Sequence, residues 1–307
     1  MSDTVASLRR KIDGASDLQS VVRTMKALAA SNIGQYERSL RALADYYRTV
    51  ELGLSACFRE SAPLSWNAPE RERKDTKVVG AVVFGSDQGL VGRFNEVVAD
   101  EARTFLDARG GVAHVWAVGE RVHARLTNAG VPIAGRFAVP SSVKAIAPLV
   151  GQILLESEAT HGVSEATEVH LFFNRPTSGA VYAPVQERLL PLDRAWRRKL
   201  VDLPWPDKRL PEVVGGSATT LRAFIREYLF VSLYRACAES LASENASRLA
   251  AMERADKNIS ELLETLHGQF HRLRQSGIDE ELFDVIAGFE ALSRPTLDRR
   301  GAGHHKP

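Results

Sequence analysis

Proline is missing from both ends of this chain over unusually long distances. None of the 13 prolines among the 307 residues falls within residues 1–62, and none falls within residues 212–294. Because proline removes a backbone donor and breaks helices, its absence leaves each of these stretches able to form one long helix.

Cysteine, net charge and long apolar runs are also scarce. Cys57 and Cys237 lie far apart and form neither a CxxC pair nor a metal-ligand spacing, so we expect two reduced, packed thiols. The formal net charge of +2 does not favour binding to nucleic acid or to a membrane. The sequence shows no signal peptide and no apolar run of about 18 residues, which predicts a protein that is cytosolic or peripheral to a membrane.

The sequence signatures of common active sites are missing as well. Gly85, Gly89 and Gly92 follow a predicted strand, but they match neither GxGxxG nor a P-loop. Asp87 in the same loop could be catalytic, although a role in a tight turn is the preferred interpretation. His114 and His123 do not form a recognised metal pair. The sequence therefore predicts no catalytic residue, no cofactor and no metal site.

The C-terminal proline-free stretch carries a narrow apolar seam. A helix of about 75 residues would be roughly 110 Å long. Its apolar residues alternate in steps of four and three, with a slip at Ser276–Gly277; they are Ile259, Leu263, Leu266, Phe270, Leu273, Ile278, Leu282, Val285, Phe289 and Leu292. This spacing indicates a coiled coil rather than a broad buried face.

The N-terminal stretch carries a matching seam. Its members are Val22, Met25, Ala29, Ile33, Tyr36, Leu40, Leu43, Tyr47, Val50, Leu54 and Cys57. We therefore predict that the two terminal helices pair as an antiparallel coiled coil within one chain. Two ordinary amphipathic helices in a bundle remain the alternative.

Between the two helices the hydrophobic period changes. Short apolar runs alternate with amphipathic segments, a pattern that predicts a central three-layer, Rossmann-like α/β domain with a mainly parallel sheet. The predicted strands cover residues 78–85, 112–118, 137–139 and 169–174, with a further pairing from 180–185 and 187–190. Helices are predicted for residues 95–108, 120–128 and from Ser141 or Ser142 to 158. The predicted domains are residues 1–62, 77–192 and 212–292, followed by a basic tail at 293–307.

Several separated stretches carry distinctive motifs. Residues 22–30 read VRTMKALAA, residues 86–92 read SDQGLVG before Asn95, and residues 189–192 read LLPL. Residues 244–252 read ENASRLAAM and residues 272–275 read RLRQ, with Ile278, Glu281 and Gly288 beyond them. In this order, over residues 8 to 292, the chain resembles the gamma subunit of F-type ATP synthases.

That resemblance implies a function as the central rotor shaft of an F-type ATP synthase. The shaft couples transmembrane movement of protons or sodium ions to ATP synthesis or hydrolysis and is not itself an enzyme. The implied partners are the alpha and beta subunits of the catalytic head, the epsilon subunit and the membrane c-ring, with no nucleic acid and no direct small-molecule substrate. The implied location is peripheral, at the cytoplasmic face of the inner or plasma membrane.

The resemblance also implies contact residues. Met25, Arg274 and Gln275 match positions at which the shaft meets the lower loops of the beta subunits. Arg9, Arg10 and Lys11 are expected to face acidic beta loops. The departures from the family motifs, such as Gln88 in place of an arginine and the run Ser31-Asn32-Ile33 in place of a basic one, indicate a divergent branch of ion-translocating F-type ATPases.

Two other functions are compatible with the sequence pattern. One is an α/β nucleotide-binding enzyme with a coiled-coil dimerisation arm, which tight binding of nucleotide to the isolated chain would favour. The other is a coiled-coil adaptor without a motor function, which co-purification with alpha and beta subunits would oppose.

Overall fold

The computed structural model describes residues 4–60, 78–161, 167–178, 181–206 and 217–293. The chain divides into two units, one formed by the helical residues up to Arg23 with those from Arg254 onward, and the other by Thr24–Glu253. Residues 63–76 between the first two predicted domains, residues 212–216 at the start of the third, and the predicted tail from residue 294 lie outside the described residues.

The first and last helices are the longest elements. Helix α1 covers Val5–Glu60 and helix α6 covers Ser217–Ser293, with 56 and 77 residues respectively. Neither contains a proline. The prediction of two long terminal helices is confirmed: α1 ends before Pro63, and α6 lies between Pro211 and Pro295.

The elements between them alternate as predicted. The described residues between them form five strands: β1 (Val78–Phe84), β2 (Val112–Val118), β3 (Ile133–Phe137), β4 (Thr167–Arg175) and β5 (Ala183–Leu190). The helices described in this part of the chain are α2 (Phe94–Arg109), α3 (Glu120–Asn128), α4 (Val143–His161) and α5 (Arg194–Val201).

The strands form one sheet in the order β3-β2-β1-β4-β5. The first four strands are parallel, and β5 pairs antiparallel to β4 at the edge. The strand order changes direction between β1 and β4, as it does in doubly wound folds, so the Rossmann-like prediction is confirmed.

The sheet is covered on both faces, which gives three layers. One face packs on α2 and α3 around Val98, Val122 and Phe172. The other face packs on α4 and on the long helices around Trp116, Ile153 and Leu233. Because both faces are covered, the central strands are almost entirely apolar, as the sequence indicated.

Within the larger unit, α1 and α6 pair in opposite directions. Asn32 bonds to Asn245, Ser39 to Tyr234, and Tyr46 to Glu227. The residue number of the α6 partner falls as the residue number in α1 rises, so the two helices are antiparallel. All the predicted α1 seam residues are buried or half-buried, so the predicted pairing is confirmed over this region.

Within the smaller unit the same two helices continue the pairing. The Gln19 amide donates to Ser260 Oγ at 2.8 Å, and the Arg23 guanidinium contacts Asp256 at 3.2 Å. Leu8 and Leu266 are buried. The seam therefore extends close to the start of α1.

The prediction was wrong for the far end of the α6 seam. Ile278, Leu282, Val285 and Phe289 are all more than half exposed in this chain. Because the pairing is antiparallel and α1 begins at Val5, little of the first helix remains to cover α6 beyond Leu273. The spacing was recognised correctly, but the partner that it requires is not α1.

Three smaller predictions also need correction. Strand β3 covers Ile133–Phe137 rather than residues 137–139, and β5 is one strand rather than two segments. Helix α5 lies between the second and third predicted domains, where no helix was predicted. It begins after Asp193, whose carboxylate accepts the backbone N–H of Trp196, so a helix cap was present in the sequence but was not recognised.

Candidate functional site

The crevice outside the carboxyl ends of β1 and β4 is where a doubly wound sheet would bind a nucleotide. In this chain, helix α6 occupies it. Ser243 Oγ donates to the Asn174 carbonyl at the end of β4, at 3.0 Å. One turn further along α6, Ser247 Oγ donates to the Val91 carbonyl in the loop after β1, at 2.6 Å. The crevice therefore holds helix α6.

The loop after β1 is fastened by its own polar groups. The Ser86 backbone N–H donates to Asn95 Oδ1 at 2.9 Å, and Asn95 Nδ2 donates to Ser86 Oγ at 2.9 Å. The two Asp87 oxygens accept backbone N–H groups of Glu120 at 2.9 Å and Val139 at 3.0 Å. The structural interpretation of Asp87 is confirmed, because both oxygens tie neighbouring segments to this loop.

A buried ion pair lies beside the crevice on the same helix. Glu244 and Arg248 are one turn apart, with 2.7 Å between Oε1 and Nη2. Burial raises the pKa of the Glu244 carboxyl, and the Arg248 guanidinium opposes that rise. Tyr36 of α1 lies in their field, and burial together with Glu244 raises its pKa to about 12. The motif at 244–252 thus belongs to the contact between both long helices and the sheet.

A second network of charges joins the sheet to the long helices. Arg175 of β4 contacts Glu187 of β5 and Glu239 of α6, both at 2.6 Å. Arg235 of α6 contacts Glu187 at 2.6 Å and stacks over the Tyr47 ring of α1. Sequence analysis did not predict this network, because only strand register and helix packing bring its side chains into contact.

The predicted partner-contact residues lie on the two long helices. Arg9, Arg10 and Lys11 are exposed in the first turns of α1. Arg274 and Gln275 are exposed on α6. Met25 is half-buried in the α1 seam, between Val22 and Ala29. The three basic residues of α1 and the two residues of α6 are therefore accessible to a partner. Met25 exposes only part of its side chain.

A strip of large apolar side chains is exposed near the end of α6. It comprises Ile278, Leu282, Phe283, Val285, Ile286 and Phe289, and is called here the apolar strip. Phe283, Val285 and Phe289 are exposed by 69, 69 and 72%. Contiguous exposed apolar residues of this size are typical of interaction sites.

The described residues carry few other candidates for chemistry. They contain no group of three or more His, Cys, Asp or Glu side chains placed to hold a metal ion. Among the same residues, no helix combines the length and apolar character that crossing a membrane requires.

Comparison with known proteins agrees with this arrangement. A family model described as ATP synthase matches residues 4–292. The ATP synthase gamma chain of Moorella thermoacetica is 28% identical over 293 residues, which cover 93% of this chain and 98% of that one. The gamma chain of Laribacter hongkongensis is 27% identical with the same coverage. A chain in the cryo-EM structure of the Euglena gracilis mitochondrial ATP synthase is 15% identical, covers 97% of this chain and 99% of that chain, and superposes with a TM-score of 0.60.

Proposed function

Because the chain belongs to the ATP synthase gamma family, whose model matches residues 4–292, we propose that its exposed surfaces are those of a rotor. The chain is the central shaft of an F-type ATP synthase and is a non-catalytic subunit of that complex. The observation that carries this function is that helix α6 lies in the crevice of the sheet and is hydrogen-bonded there.

A shaft can act on a catalytic head only if its surface differs from one side to another. Two paired helices present different side chains at each angle, so three copies of one catalytic subunit would contact three different surfaces. Such differential contact shifts the conformational equilibrium of each copy. The filled crevice and the charge networks around Glu187 and Glu244 support this role by fastening the sheet to the helices.

The apolar strip is the surface that we assign to the alpha and beta subunits of the head. Its side chains are exposed in the isolated chain, and burial of each one would contribute about 1.5–3 kcal/mol. Arg9, Arg10 and Lys11 are assigned to acidic loops of the beta subunits, where charge would favour contact.

Arg274, Gln275 and Met25 are assigned to the lower loops of the beta subunits. The exposed Arg274 guanidinium can donate two parallel hydrogen bonds to a carboxylate, which a lysine in its place could not do. Met25 would add an apolar contact next to the seam.

The variant Arg274→Ala tests this assignment. We expect slower ATP-driven rotation and slower coupled turnover in a complex reconstituted with alpha and beta subunits, with unchanged helix content. The matched control is Arg272→Ala, because residues two apart lie on opposite sides of a helix. Equal losses from both variants, or unchanged coupled rates for Arg274→Ala, would contradict the assignment.

The remaining partners are assigned to the larger unit and to the membrane. We propose that the α/β domain faces the epsilon subunit and the membrane c-ring, and that the chain is thereby held as a peripheral component at the cytoplasmic face of the membrane. Movement of protons or sodium ions belongs to the complex rather than to this chain.

Two measurements on the full-length chain test the proposed function. Co-expression with alpha and beta subunits should give one complex in which ATP hydrolysis turns a label attached to this chain. Equilibrium titration of the isolated chain with ATP or ADP should show no stoichiometric binding. Tight binding would favour a nucleotide-binding enzyme, and a complex that hydrolyses ATP without turning the label would favour an adaptor.

A further inference from the structure

Strand β3 forms one edge of the central sheet. It pairs with β2, and it stands at the end of the strand order. The Phe137 carbonyl accepts the Gly119 backbone N–H at 2.9 Å, and the Val139 N–H donates to Asp87 Oδ2 at 3.0 Å. The backbone of Phe137 and the N–H of Val139 therefore face the rest of the sheet.

The residues that alternate with these two face the other way. In an extended chain, the N–H and C=O groups of successive residues point to opposite sides of the strand. The backbone groups of Arg136 and Ala138 therefore point away from β2. In the part of the chain that the structure describes, no residue is hydrogen-bonded to the backbone on this outer side. Two donors and two acceptors are thus open to a further strand, and they are called here the β3 edge.

A groove lies beside the β3 edge, between the strand and helix α4. Its volume is about 670 Å³, and its apolar lining includes Phe137, Val139, Pro148, Leu149 and Leu155. Leu155 is 61% exposed and Pro148 is exposed as well, so the groove is open to solvent. Residues 119–157, which contain β3, most of α4 and the loop between them, are all described.

The dimensions of the groove suit an added strand. Pro148 and Leu155 are two helical turns apart, which is about 10 Å along α4. Roughly three residues of extended chain cover the same distance. A strand paired with β3 would lie about 4.8 Å from it, and every second side chain would point to the α4 side of the sheet. Two such side chains would cover the apolar lining between Pro148 and Leu155.

The β3 edge and the groove together favour one kind of occupant, an extended segment with apolar side chains at alternate positions. A helix pairs its own backbone groups and would leave those of the edge unpaired. A polyanion is disfavoured because charges of both signs surround the groove: Arg136 forms an ion pair with Glu120, and Glu156 lines the groove. Pairing of main chains, with pockets for alternate side chains, is a common mode of peptide recognition.

From these observations we propose that the β3 edge and its groove bind an extended strand of another subunit of the complex. The inference rests on the proposed function, because the complex supplies that subunit. Natural proteins ordinarily cover or block an open edge, since it pairs readily with other chains. A strand from a neighbouring subunit would cover the β3 edge and fasten the α/β domain within the assembly.

Hydrogen exchange at single amides tests the proposal. The isolated full-length chain is compared with the complete complex, purified from membranes through a tag on the alpha subunit. The Arg136 and Ala138 amides should exchange rapidly in the isolated chain and on the order of tenfold more slowly in the complex. The Val139 amide is bonded within the chain and should exchange slowly in both samples. Rapid exchange of the two outer amides in both samples would overturn the proposal.

A charge placed in the groove tests the apolar part of the site. Because Leu155 is 61% exposed, Leu155→Glu should leave the helix content of the isolated chain unchanged. It should nevertheless remove the protection of the Arg136 and Ala138 amides in the complex. The matched control is Val112→Glu, which changes a residue of the same sheet that is 55% exposed and lies outside the groove lining. Equal loss of protection from both variants would contradict the assigned groove.

Other occupants of the β3 edge give different results. Slow exchange of the outer amides in the isolated chain would overturn the proposal: a second copy covers the edge if dilution speeds the exchange, and a segment of the same chain covers it if dilution has no effect. A complex that contains the wild-type chain but leaves these amides exposed refutes this inference alone. Failure of the wild-type chain to co-purify with alpha and beta subunits refutes the proposed function, and the occupant is lost with it.

Discussion

At the scale of single residues, the molecule depends on small buried polar groups that no periodic pattern reveals. Ser243 and Ser247 are buried on α6 and donate to carbonyls of the central domain. A serine in a helix usually faces solvent or bonds within its own helix. Here two serines, one turn apart, join a long helix to the carboxyl edge of a sheet.

Replacement of Ser247 tests the importance of this junction. In Ser247→Ala, the buried Val91 carbonyl loses its donor, so we expect unfolding free energy to fall by about 1–3 kcal/mol. The control Ser31→Ala changes an exposed serine within α1 and should have an effect within about 0.5 kcal/mol. Denaturant unfolding followed by circular dichroism measures both, and equal effects would contradict the assigned role.

His170 should make stability depend on pH. It is buried on β4 beside Glu168, with Arg109 and Arg188 in its field, and its Nδ1 lies 3.0 Å from the Gln186 amide. Burial lowers its pKa, and Glu168 only partly opposes this shift. A histidine with a lowered folded pKa binds fewer protons than in the unfolded chain. Stability is therefore complete above the ordinary pKa of about 6.5 and declines as the pH falls through the folded pKa.

The variant His170→Gln isolates this effect from general acid unfolding. We expect the unfolding midpoint of the wild-type chain to fall more steeply than that of the variant between pH 7 and about pH 5. Parallel pH profiles of the two proteins would show that His170 has the same proton affinity in the folded and unfolded states.

At the scale of elements, the sequence predicted what periodicity and proline control. The seam from Val22 to Cys57 predicted the buried face of α1, and the apolar run at 78–84 predicted β1. Periodicity could not locate β3 or α5, because a five-residue strand and an eight-residue charged helix are too short to show a pattern. It also could not show which partner covers the end of the α6 seam.

The candidate site was predicted less completely than the fold. The motif at 244–252 was recognised, but its position in the crevice depends on contacts between α6, β1 and β4. The Arg175–Glu187–Arg235 network depends on the pairing of β4 with β5. Such contacts are long-range and leave no local signal in the sequence.

Two glycines of α1 should respond in opposite ways to the same substitution. A Cβ on Gly53 would lie 2.3 Å from the Phe224 ring of α6, so Gly53→Ala should destabilise the chain by about 1–3 kcal/mol. A Cβ on Gly14 would meet nothing within 4 Å, so Gly14→Ala should stabilise α1 by up to about 1 kcal/mol. Thermal unfolding of both variants measures this contrast, and stabilisation by Gly53→Ala would show that the helices are not closely packed there.

At the scale of the whole molecule, the apolar residues of α6 have two different uses. Leu266 is 7% exposed and belongs to the seam shared with α1, whereas Phe289 is 72% exposed in the apolar strip. Residues before the slip at Ser276–Gly277 therefore stabilise the chain, and those after it are available to other subunits.

This division predicts that stability and assembly can be separated. Leu266→Ala should lower the unfolding free energy by about 2 kcal/mol or more. Phe289→Ala should leave it within about 0.5 kcal/mol but weaken the complex with alpha and beta subunits. Thermal unfolding of the isolated chain and co-purification of the complex measure the two effects. If Phe289→Ala destabilises the isolated chain, the apolar strip already packs against another part of the same chain.

The antiparallel pairing of α1 with α6 sets an order for biosynthesis. The ribosome completes the seam of α1 when residue 57 has emerged, but the α6 residues that cover it follow more than 150 positions later. The intervening α/β domain can fold during that interval. The apolar face of α1 stays exposed to water until α6 has been translated. Nascent chains halted before residue 217 should therefore bind chaperones through helix α1. The chaperone should dissociate when α6 is translated.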